Sequence, residues 1–131
     1  MSNLVYKQTQ EQQPSLAIDL KKNRIRIHRR TLHLLGNPNY IQILVNPTKQ
    51  SLILLPSVSE DHLAHKINWL YLDDPSNSYE LYSKALIKTI NTLQPWEPEQ
   101  IYRLEGTCIT TKDSNVAILF CLKESALVET T

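Results

Sequence analysis

Six cations, Lys21, Lys22, Arg24, Arg26, Arg29 and Arg30, fall within ten residues, and Ile25, Ile27 and Leu32 keep an apolar pattern running through them. Ammonium and guanidinium groups bind anions at neutral pH, and Arg can fork onto a phosphate or onto the major-groove edge of guanine. Side chains of an extended strand alternate between faces, so Lys22, Arg24, Arg26 and His28 share one face while Ile25 and Ile27 take the other. A solvated outer strand face has the same pattern, so the cluster alone does not separate binding from solvation. His28 and His33 stand beside this surface, where a change in imidazole charge would make binding pH-sensitive, and both read equally as polar face residues.

The other reactive groups form weaker constellations. Gly36 and Gly106 are the only glycines, which leaves no glycine-rich phosphate loop, dinucleotide fingerprint or nucleophile elbow. His62 and His65, beside Glu60 and Asp61, have the spacing of one helical face, but they sit in a polar connector without further ligands, so neither a metal nor a cofactor is expected. Asp73-Asp74, followed by Pro75-Ser76-Asn77, read as turn formers. With no nucleophile–base arrangement, the chain is expected not to be an enzyme. Trp69, Tyr71, Tyr79, Tyr82 and Trp96 lie in the acidic half, where a base-stacking platform would repel phosphate; Trp69, Tyr71 and Trp96 suit anchors in a protein interface instead.

These residues need a scaffold, and 131 residues suffice for one compact domain with a sizeable core. The net charge of +1 conceals an asymmetry: residues 1–56 carry eight Lys or Arg against Glu11 and Asp19, whereas residues 57–131 carry six against eleven acids. A dipolar molecule follows, able to steer a charged partner. No apolar run approaches the roughly 18 residues of a membrane span, and Met1 to Pro14 is polar and Gln-rich, so a cytoplasmic protein without membrane partners is expected. Cys108 and Cys121 are then expected to be reduced core thiols.

Periodicity assigns residues 1–15 and 123–131 to tails and 16–122 to one domain. Leu16, Ile18 and Leu20 share one parity and Ile25 and Ile27 the other, predicting a hairpin that turns at Lys21–Asn23. Arg29 to Leu35 reads as a short helix stopped by Gly36. Tyr40–Val45 and Leu52–Leu55 form a second hairpin. Ile67–Leu72 and Tyr79–Tyr82 predict a third, Ser83 caps a helix over Lys84–Leu93, and Ile101–Thr111 with Val116–Leu122 make a fourth. The order strand, strand, helix, strand, strand occurs twice, giving repeat 1 over 16–56 and repeat 2 over 67–122, an α+β fold of two ββαββ units in a small duplicated barrel-like domain. The expected core includes Leu32, Leu35, Ile43, Leu54, Leu86, Ile90, Ile118 and Phe120.

Within Leu16 to Pro56, the residues Arg24, Ile25, Ile27, Arg29, Arg30, Leu32, Leu35 and Gly36, followed by the Tyr40–Leu55 hairpin, resemble the AbrB-like, swapped-hairpin DNA-binding family of bacterial transition-state regulators and antitoxins. The resemblance implies two interlocking units, usually from two chains as a homodimer but in some relatives from one. His28 stands where the family usually has Pro, and Asn23 where it often has Gly. The chain also resembles small uncharacterised proteins of phages and mobile elements.

The leading expectation is therefore a DNA-binding, transcription-regulator-like protein contacting duplex DNA through Lys21, Lys22, Arg24, Arg26, His28, Arg29 and Arg30. Its rival is a phage or mobile-element adaptor or inhibitor. That rival would use Trp69, Tyr71, Asp73, Asp74, Glu80, Trp96, Glu97 and Glu99 to occupy the basic groove of a nucleic-acid-binding enzyme. A continuous basic ridge on the folded protein favours the first, and an acidic ridge with exposed Trp the second.

Overall fold

The computed structural model describes residues 13–72 and 77–128. Strands β1 (Ser15–Asp19) and β2 (Arg24–His28) form the expected hairpin, with Leu16 opposite Ile27 and Ile18 opposite Ile25. All four of these side chains are buried. The turn between them uses Asn23 at φ 52°, a left-handed conformation that Asn tolerates. Helix α1 (Arg29–Leu34) follows without a break. It ends where Gly36, at φ 90°, lets Gly36 N donate to His33 O and Asn37 N to Leu32 O, the paired bonds of a Schellman cap.

Strands β3 (Tyr40–Asn46) and β4 (Ser51–Ser57) form the second hairpin, and β5 (His65–Lys66) adds to the free edge of β3. Strand β6 (Ser78–Tyr82) precedes α2 (Lys84–Leu93), whose N-terminus is capped by Ser83 Oγ accepting from Leu86 N at 3.1 Å. Strands β7 (Ile101–Thr110) and β8 (Val116–Cys121) form the last hairpin, and β9 (Ala126–Leu127) returns to β7. Every pairing is antiparallel, in the order β5-β3-β4-β8-β7-β1-β2-β6. The sheet curls into a half-barrel carrying two helices, a small α+β barrel-like domain.

The curl depends on β7, which pairs with β1 over Ile101–Glu105 and with β8 over Gly106–Thr110. Gly106 stands at the switch: a Cβ there would lie 2.7 Å from both Ile118 and Phe120, so only glycine lets these two core side chains close over the strand. Leu32, Leu35, Leu54, Ile90, Ile118 and Phe120 are buried as expected, and Ile43 and Leu86 pack against them partly buried.

Three expectations are corrected. Ile67–Leu72 is not a strand, because Trp69–Leu72 forms a 3-10 turn. Ile67 and Leu72 point into the core while Leu70 and Tyr71 are 80% and 76% exposed, a spacing that does not fit the period of two. Strand β6 therefore pairs with β2 rather than with this segment, and the expected turn at Asp73–Ser76 lies outside the described residues. At the ends, Ser15 belongs to β1, and residues 123–128 contain the end of a 3-10 turn and β9 instead of a tail. Lastly, Cys108 is an exposed free thiol, because no residue of β7 beyond Gly106 is buried, and Cys121, the last residue of β8, is half-buried.

Candidate nucleic-acid interface

Strand β2 buries Ile25 and Ile27 and turns Arg24, Arg26 and His28 to the opposite face, as its alternation requires. Pairing with β6 then sets Arg26 opposite Glu80 and Arg24 opposite Tyr82. Arg24 is drawn inward: its side chain is 12% exposed, its Nε donates to Asp19 Oδ2 at 3.0 Å, and its Nη1 donates to Glu80 Oε2 at 2.7 Å. Asp19 is only 2% exposed and its other oxygen accepts from Lys21 N and Lys22 N at 3.0 and 3.1 Å, which shapes the hairpin turn. Burial works against the charge on Arg24, yet its bonds to Tyr82 and Asp19 and the fields of Glu80 and Asp19 outweigh it and hold the guanidinium more firmly protonated than usual. Arg24 is thus engaged within the hairpin.

Arg26 differs. Its side chain is 43% exposed, and its Nε lies 3.4 Å from Glu80 Oε2 without a hydrogen bond. One residue on from Ile27, His28 ends the strand and caps α1, its Nδ1 accepting from Arg30 N at 3.0 Å. An imidazole nitrogen accepts only when unprotonated, so the cap fixes His28 as the neutral form with its proton on Nε2. Burial lowers its pKa, and the charges of Arg30 and Arg103 lower it further.

His28, Arg29, Arg30 and His33 line a shallow depression at the start of α1. His33 bonds with Asn37 and stacks on Trp69 at 5.8 Å between ring centres. Thr31 ties the helix to β1, donating to Ser15 O at 2.8 Å and accepting from Ser15 N at 3.0 Å. Lys21 and Lys22 are exposed at the far end of β2, in the turn.

A second, larger cleft of about 330 Å³ adjoins the first and shares His28. Its lining includes Arg26, Arg103, Ser15, Ala17 and Ser78. Arg103 was missed in the sequence because it lies in the acidic half. The alternation of Tyr102 and Leu104 inward and Arg103 outward was readable, but only the β1–β2 and β1–β7 registers together set Arg26 and Arg103 on either side of Ala17.

The residues of the rival reading are dispersed. Trp69 is half-buried and donates its Nε1 proton to Pro38 O. Trp96 is buried, stacks on Tyr102 at 4.8 Å, and donates to Ser125 Oγ. Glu80 is occupied by Arg24, Glu97 and Glu99 are exposed beyond α2, Tyr71 is exposed on its 3-10 turn, and Asp73 and Asp74 lie outside the described residues. Asp61 accepts from Leu63 N and Ser57 Oγ, which lower its pKa. Among the described residues no three His, Cys, Asp or Glu side chains are grouped to hold a metal, and no helix is long and apolar enough to cross a membrane.

Compared with protein-family models, curated proteins and solved structures, the chain matches none.

Proposed function

We propose that the chain is a non-enzymatic DNA-binding protein that grips the phosphate backbone of a duplex along the outer face of β2, the start of α1 and β7. One observation carries the reading: two adjoining depressions, sharing His28, gather Arg26, Arg29, Arg30 and Arg103 from three elements into one basic ridge. Lys21 and Lys22, exposed in the hairpin turn, add cations at the other end of β2. Arg24 supports the ridge from beneath as the partner of Asp19.

The swapped-hairpin reading gains support from two cross-pairings, β2 with β6 and β4 with β8, which join like-placed elements of the two halves. On that reading one chain supplies both units, the second without its first strand because Trp69–Leu72 is a 3-10 turn, and control of transcription is the use the resemblance implies. The inhibitor reading loses anchors, because both Trp indole N–H groups bond within the chain.

Fluorescence anisotropy on a random duplex over a salt series tests the proposal. With four or five phosphates neutralised, the log–log slope should be about −4, and Arg26→Gln and Arg30→Gln should each reduce it by about one. Lys84→Gln and Lys88→Gln on the exposed face of α2 should leave it unchanged. Equal losses from both sets of variants would refute a localised ridge.

A further inference from the structure

We infer that the cleft over Ala17 is an oxyanion site for the phosphoryl group of a nucleotide unit, gripped by one arginine from each half of the chain. The inference takes the macromolecular source of that phosphate from the DNA-binding reading. Ala17 stands opposite Arg26 of β2 on one side and opposite Arg103 of β7 on the other. Strands lie about 4.8 Å apart, so the two arginine backbones flank Ala17 at about 10 Å from each other. Ala17 ends at Cβ and leaves the space between them open. Arg26 and Arg103 both line this gap, and two guanidinium groups match an oxyanion with several acceptor oxygens.

The walls suit a phosphate carried on an organic body. Ser15 and Ser78 bring hydroxyl groups and His28 its imidazole, while Ile101 and Val128 form an apolar side. The volume, about 330 Å³, is at the small end of ligand clefts, which run from about 300 to 1,000 Å³. Carboxylates lie outside this gap. Glu80, beyond Arg26, bonds Arg24 at 2.7 Å and pairs with Arg26 Nε at 3.4 Å, and Glu105 and Glu124 share a neighbouring depression with Arg103 without lining this one. The pKa of His28 is lowered first by burial and then by the charges of Arg30 and Arg103, so part of the positive field of Arg103 reaches this place.

The test titrates wild type, Arg103→Gln and Arg26→Gln with inorganic phosphate and a nucleoside monophosphate by phosphorus NMR, and with a short duplex by anisotropy. The monophosphate should bind wild type more tightly than inorganic phosphate. Losing one charge-assisted fork should weaken it by about tenfold. On duplex, Arg103→Gln should lower the salt slope by about one, and the double variant should lose less than the sum of the two singles, because both side chains hold one group. Monophosphate binding that is lost in Arg103→Gln while no protein binds duplex upholds the cleft and removes only the duplex reading. Duplex binding and monophosphate binding both unchanged in Arg103→Gln would overturn the cleft. Arg103 is exposed, so its variant should melt within about 3 °C of wild type and remain comparable.

Discussion

Replacing Arg24 by Gln should destabilise the fold far more than the same change at Arg26, although the two are neighbours on one strand face. Removing Arg24 leaves Asp19, 2% exposed, without the guanidinium that lies 3.0 Å from its Oδ2. Stripping one partner from a buried ion pair costs about 3–5 kcal/mol. The two backbone N–H groups that still reach Asp19 Oδ1 set the expectation at the lower end, about 3 kcal/mol. With an unfolding entropy of about 2.1 cal/mol/K per residue, a chain of 131 residues should then melt about 10 °C lower. Arg26 is 43% exposed and 3.4 Å from Glu80, so Arg26→Gln should cost about 0–1 kcal/mol. Asp19→Asn combined with Arg24→Gln should recover part of the loss, since no charge is then left buried. Urea denaturation followed by circular dichroism measures all three. Equal costs for Arg24→Gln and Arg26→Gln, or a double variant no more stable than Arg24→Gln, would refute the reasoning.

His28→Ala should cost about 1 kcal/mol through the lost cap, whereas His28→Asn, which keeps an acceptor, should cost little; urea midpoints compare them. Burial holds both His28 and His65 below the ordinary imidazole value, so the unfolded chain takes up protons first as pH falls. Stability should be complete above about pH 6.5 and decline as pH drops from there through the lower folded values, and His28→Asn should remove part of that decline. Gly106→Ala forces a methyl group to 2.7 Å from Ile118 and Phe120 and should cost about 1–3 kcal/mol in thermal melts. Thr31→Val removes both bonds to Ser15 and should cost about 1–3 kcal/mol, read the same way.

Local features were legible because local chemistry sets them. The parity change from Leu16 and Ile18 to Ile25 and Ile27, the stop at Gly36 and the cap at Ser83 each act within a few residues and appear as expected. The conformation of Ile67–Leu72 was not legible, because Trp69 is held by Pro38 and His33, residues about thirty positions earlier. The division of labour within the basic segment was hidden for the same reason. Arg24 reads as one more surface cation until the β2–β6 register brings Glu80 to it and the hairpin buries Asp19 beside it. Arg103 is the converse: an isolated cation among acids, set across Ala17 from Arg26 by the pairing of β1 with both β2 and β7.

The most direct test of the basic ridge is the affinity of wild-type protein for a random duplex measured from about 50 to 200 mM salt. The account predicts binding at the low end that falls along a log–log slope of about −4 and loses about one unit of slope on Arg30→Gln. No detectable binding at about 50 mM salt, where phosphate contacts are strongest, would contradict it.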